Sequence, residues 1–308
     1  MIKSLISVFR LSQKALQNLQ NNDPVRMAGA TAFFSFFALP PIVIILTTVL
    51  SPVVSQRQLR WQLFRQFADL FGPQGARQLQ VMSRNLQREN SDFVLIAFSL
   101  AVLLLASTTL FAVIQNSLNQ LWNVKPKPGR RFLYGLRDRL VALVLIVVSG
   151  VLFVASLALD RFLEQARRYL PLDPARYPLW AVDLGNFLLS VAVVTVWFAI
   201  IFKYLPDVRI RWRAIWTGAL VTSTLFQAGE LILNRLLIRG PISSIYGASG
   251  AVILLLLFVF YSALIFYFGA AFTRCYAEYV RLDPEPKSNA IGYEITERPP
   301  DDPGPIAP

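Results

Sequence analysis

Histidine is missing from this chain altogether, and cysteine occurs once, at Cys275. Without histidine there is no Ser-His-Asp triad, no Cys-His pair and no histidine-built zinc or non-haem iron site. A single cysteine excludes an intramolecular disulfide. No Walker A or GxGxxG sequence occurs, so ATP-driven work would need a partner. The expectation is a non-enzyme without metal or cofactor. Charge is scarce in long runs as well. Met27 to Gln56, Phe93 to Val124, Leu140 to Leu159, Leu184 to Phe202 and Gly240 to Thr273 contain no Asp, Glu, Lys or Arg, and Ala214 to Leu237 is interrupted only by Glu230 and Arg235.

A helix needs about 20 mostly apolar residues to cross a bilayer. Lipid offers no hydrogen-bond partner to a bare peptide group, so each run must be helical. With 55% hydrophobic residues and a mean hydropathy of +0.50, the pattern predicts an all-α integral membrane protein. Its six spans lie near residues 27–50, 93–121, 140–159, 181–202, 214–237 and 250–273, within a membrane domain over 23–280. Residues 281–308, rich in proline and acids, read as a disordered tail. Met1 to Gln20 has no continuous apolar core, so no cleavable signal peptide is expected there. Ile2, Leu5, Ile6, Phe9, Leu16 and Leu19 instead recur at helical spacing among Lys3, Arg10 and Lys14, which predicts an interfacial amphipathic helix over 1–22.

The net charge of +12 does not form the dense stripe that nucleic acid requires. The basic residues sit at membrane edges, which makes the bilayer the expected partner, with a second copy or an envelope protein as the further ones considered. Eighteen of the 30 fall before span 1, between Lys125 and Arg139, between Lys203 and Arg213, and after span 6, leaving twelve on the other side. The positive-inside rule then predicts both termini in the cytoplasm. Between spans 1 and 2, Trp61, Phe64, Phe67 and Phe71 follow one helical face. After the Gly72-Pro73 turn, Leu79, Met82 and Leu86 follow another, so an external two-helix cap is expected there.

Asp23-Pro24 is a helix start, where the carboxylate can cap free amides and proline loses no hydrogen bond. Pro40 and Pro41 remove two amide donors in mid-span, and a kink or break is expected at that point. Span 5 carries the sharpest chemical signal. Ser223, Gln227, Glu230 and Asn234 fall on one helical face, and a carboxylate at the membrane centre costs about 2.5–3.5 kcal/mol. Two readings of Glu230 stand side by side: a proton or cation site in a water-filled cavity, or a buried carboxyl bonded to a neighbouring helix or to Arg235. Thr31 and Ser35 on span 1, Thr108, Gln115, Asn116 and Asn119 on span 2, and Asn186 and Ser190 on span 4 could meet it around a central polar cavity. Ser262, Gly269 and Thr273 on span 6 have the spacing of close helix packing.

Asp23, the run Ala30-Thr31-Ala32-Phe33-Phe34-Ser35-Phe36-Phe37-Ala38-Leu39-Pro40, Tyr204-Leu205-Pro206 with Arg211-Trp212-Arg213 and Gly218-Ala219, Glu230, Ile245-Tyr246-Gly247 and Gly269-Ala270 together resemble the YihY/BrkB family of bacterial inner-membrane proteins. The resemblance covers nearly residues 1 to 280 and implies a six-span protein, with transport or lipid export as the suspected role. The family often ends span 6 with Gly-Ala-Glu; Ala271 stands here instead, so no role for that acid carries over. An older ribonuclease label attached to the family fails on the missing histidines. The sequence therefore leads to a transporter or exporter of a small solute or amphiphile, with a non-transporting scaffold or envelope-assembly partner as the alternative.

Overall fold

The computed structural model describes residues 2–49, 93–127, 179–233, 242–282 and 284–294, together with 65, 77, 81, 144–145, 147–152 and 155. The expected external cap, most of span 3 and the last residues of span 5, including Asn234, lie outside these. The described chain is mostly helical: α1 (Ile2–Gln20), α2 (Pro24–Val49), α3 (Phe93–Leu121), α4 (Leu179–Tyr204), α5 (Trp212–Leu233) and α6 (Ile242–Tyr279). Four short strands accompany them: β1 (Val124–Pro126), β2 (Val208–Arg209), β3 (Glu285–Pro286) and β4 (Ala290–Gly292). By length and composition, α4 over Phe187–Tyr204 and α6 over Val252–Tyr279 could each cross a membrane, while the apolar stretch Pro24–Leu39 of α2 is shorter.

Two expectations change. Residues 281–308 were expected to be a disordered tail, yet β4 pairs antiparallel with β1, setting Val124 opposite Gly292, and β3 pairs antiparallel with β2, setting Val208 opposite Pro286. Composition predicts disorder from a shortage of apolar burial; here backbone pairing and the buried Ala290 supply the missing contacts. At Pro40 and Pro41, where a kink or break is expected, the break is not formed: α2 stays helical through both to Val49. An apolar span offers its backbone no competing partner, so the remaining hydrogen bonds hold the helix together. The start of α2 is where Asp23-Pro24 places it. Met27 N donates to the Asp23 carbonyl at 3.1 Å, and the carboxylate faces Arg26 at 3.6 Å rather than capping the helix.

α2 packs against α3 and α6, α4 against α5, and α5 against α6. Between α5 and α6 the approach is close enough to require glycine. A Cβ on Gly218 would strike the Thr273 hydroxyl, and one on Gly269 would strike that of Thr222. Each threonine satisfies the hydroxyl it lays against the glycine by donating within its own helix, Thr222 to Gly218 O and Thr273 to Gly269 O, both at 2.7 Å. Ser262, expected on the same packing face, is half-buried, and its buried hydroxyl has no partner among the described residues. An aromatic core fills the space between the three helices, with Phe198 stacked on Phe202, edge-on to Phe226 and beside Phe266.

One end of the bundle collects the helix ends and strands. α1 lies along the C-terminal part of α6 through buried Leu11, Ala15 and Leu19, and Lys14 pairs with Glu278 at 3.1 Å. Phe9 and Leu16 face outward. Arg274 donates to Leu121 O at 2.6 Å, closing the end of α3.

Candidate functional site

The polar line of α5 faces α4. Ser223 is fully buried and shares a 2.6 Å hydroxyl bond with Thr195, which itself donates to Val191 O. One turn further, Gln227 donates its amide to Ser190 at 2.6 Å. These bonds are direct, with no room for water between the paired atoms. The line continues to Glu230, which is half-buried and has no hydrogen-bond or ion-pair partner among the described residues. Beside it, the ring of Tyr261 from α6 lies over Gly229, where a Cβ would collide with it. Arg235, the ion-pair partner considered from the sequence, lies outside the described residues; among those described, the arrangement is a row of satisfied polar groups ending in one acid with no partner, at the edge of an aromatic core. Such a carboxylate is able to take a proton, a cation or a hydrogen-bond donor from an arriving molecule.

The other residues expected around Glu230 are placed elsewhere or have no described link to it. Thr31 bonds the buried Tyr267 hydroxyl of α6 at 2.6 Å, and Ser117 of α3 joins the same hydroxyl. Ser35 is half-buried and Asn116 exposed; Thr108 turns to Leu105 O on its own helix. The side chain of Asn186 lies outside the described residues, as does Asn234. No hydrogen bond joins Thr31, Gln115 or Asn119 to the α5 line among the described residues.

Gln115 and Asn119 meet a second acid, Asp207, which sequence reasoning did not single out. It is 4% exposed, sits in the turn after α4 and accepts from Asn119 at 3.0 Å, from Gln115 at 3.5 Å and from Asn289 at 2.9 Å. Asn119 also accepts from the Asp207 amide at 2.8 Å, and Lys287 N donates to Asp207 O at 2.9 Å. The Lys287 amine closes the end of α4 by donating to Pro206 O at 2.6 Å and Tyr204 O at 3.3 Å. This hub ties α3, the turn after α4 and the C-terminal strands together. Its signal in the sequence is a lone acid within the basic segment Lys203 to Arg213. Among the described residues no group of His, Cys, Asp or Glu could hold a metal.

The sequence profile of the family described as "Virulence factor BrkB" matches residues 15–291. Among similar proteins, a "UPF0761 membrane protein" of Teredinibacter turnerae is 24% identical over 82% of this chain and 57% of its own length. Namesakes in Delftia acidovorans (25% identical, 80% of this chain and 57% of theirs) and Stenotrophomonas maltophilia (26%, 87% and 61%) are alike. The chain thus spans less than two thirds of the length of each of these relatives. No solved structure matches it.

Proposed function

The chain belongs to the BrkB family of membrane proteins, and on that premise we propose that it is a multi-pass protein of the bacterial inner membrane that moves a small solute or an amphiphile past Glu230. The carrying observation is the α5 line, where the polar groups are paired in turn until Glu230, which has no partner among the described residues. An acid kept in an apolar span without a partner costs stability, and an incoming cation, proton or headgroup donor would offset that cost. With no histidine in the chain, the reading is non-enzymatic and calls for no cofactor. A second reading, a scaffold or envelope-assembly partner, draws on the direct Thr195–Ser223 and Ser190–Gln227 bonds, which make the seam between α4 and α5 a packed one.

The test uses the full chain in proteoliposomes, with a fluorescent single-chain phospholipid and a proton gradient as probes. Movement of either probe above empty liposomes, lost in Glu230→Gln but with folded yield retained, is the expected result. Glu230→Gln preserves size and hydrogen bonding and removes only titration. Wild-type protein indistinguishable from empty liposomes with both probes would leave the scaffold reading standing.

A further inference from the structure

The turn before α5 and the end of α6 enclose an open pocket of about 610 Å³ lined by Lys203, Arg209, Arg211 and Arg281, with Glu285, Trp212, Ile210 and Leu282. Among the described residues, four cations face one carboxylate. Lys203 is held in place, donating to Ile210 O at 2.6 Å and lying 5.4 Å from the centre of the Trp212 ring. Arg209, Arg211 and Arg281 are exposed, and none of the three forms an ion pair among the described residues. We propose that this pocket binds the phosphate of an anionic phospholipid headgroup from the adjoining leaflet. A free phosphate ester has the same chemistry, and the surroundings favour the lipid. From the pocket wall Trp212, Trp216 and Leu220 run up α5 at four-residue steps, 43%, 45% and 52% exposed, and the two indoles stack at 6.1 Å. This apolar stripe offers an acyl chain a path directly above the cations, with tryptophans at the depth they favour in bilayers. Basic pockets beside spanning helices are suited to such headgroups.

Arg281 supplies a clean probe. It occupies the residue just past α6 with φ 54°, inside a turn closed by Leu282 N to Ala277 O at 2.8 Å and Arg281 N to Glu278 O at 3.1 Å. Glycine is the residue this left-handed closing position ordinarily takes. Arg281→Gly should therefore keep or raise the thermal midpoint while removing a pocket cation. The pocket does not touch Glu230, so the proposal stands apart from the transport reading, and Glu230→Gln should not change binding.

Delipidated full-length protein would be given phosphatidylglycerol or phosphatidylcholine in nanodiscs, and retained lipid measured by native mass spectrometry. Phosphatidylglycerol should be preferred, and Arg211→Gln with Arg281→Gly should weaken its retention on the order of tenfold or more. Arg10→Gln with Arg213→Gln removes equal charge outside the pocket and should change little. Glycerol 3-phosphate is the soluble probe. If it binds as tightly as the lipid, and Trp216→Ser weakens neither, the occupant is a soluble phosphate ester and the lipid assignment is overturned. Equal retention of the two lipids, or equal loss in both double variants, overturns the site itself.

Discussion

At the scale of single residues, Asp207 shows how a carboxylate is kept inside this protein. Taking it from water is costly unless its oxygens are satisfied, and three carboxamides do so, two from neighbouring turns of α3 and one from the C-terminal strands' turn. Asp207→Ala would remove the acceptor for Asn119 and Asn289 together. With about 1–3 kcal/mol lost per buried group left unpaired, the purified protein should show a clearly lower thermal midpoint. Asn289→Ala should cost less and make the C-terminal strands more open to limited proteolysis; equal midpoints for wild type and Asp207→Ala would refute the hub. The sequence exposes Glu230 readily, because a charge inside an apolar run stands out. Asp207 is concealed in a loop segment where charged residues are expected, and its partners Asn119 and Asn289 lie far away along the chain. Helical spacing can say that Gln115 and Asn119 share a face, but not which acid that face meets.

At the scale of elements, the pairing of α5 with α6 depends on two glycines whose places are filled by threonines of the other helix. Gly218→Ala and Gly269→Ala should each destabilise by about 1–3 kcal/mol through overpacking. Gly185, on α4, has nothing within 4 Å of a built Cβ among the described residues, so Gly185→Ala should be neutral or stabilise by up to about 1 kcal/mol. Thermal unfolding of the three variants in one detergent tests this, and a loss at Gly185 matching that at Gly218 would count against close helix approach as the cause. Much of this layer is legible beforehand. The helices α2, α3, α4, α5 and α6 coincide with uncharged or nearly uncharged runs, since a period of apolar residues uninterrupted by charge leaves the backbone no alternative to helix. The spacing of Gly269 and Thr273 announces close packing, though not that Gly218 and Thr222 are the partners. The helix through Pro40 and Pro41 and the strands β3 and β4 were not legible. Local rules for proline and for tail composition omit what the surroundings add: an apolar medium in one case, distant strands in the other.

At the scale of the whole molecule, the ends of α3, α4 and α6, the start of α2 and the helix α1 gather at one end with all four strands. α6 is 38 residues long, and at 1.5 Å per residue it rises about 57 Å. The hydrocarbon core is about 30 Å thick, so α6 must project well beyond it. The gathered end is the place for that projection, because Lys14, Arg274 and Glu278 form their ion pairs there. The same end carries Lys125, Lys203 and Arg211, members of the larger basic group in the sequence. The excess of basic residues predicts that this end faces the cytoplasm. A single introduced cysteine, in a chain whose buried Cys275 is replaced by alanine, can test the assignment with a membrane-impermeant thiol reagent on intact cells. Ser288→Cys, exposed beside β4, should react only after the inner membrane is opened. Gln74→Cys, in the segment expected outside, should react in intact cells once the reagent has entered the periplasm. Reaction at Ser288 in intact cells, with protection of Gln74, would invert the protein and move the basic pocket to the periplasmic leaflet.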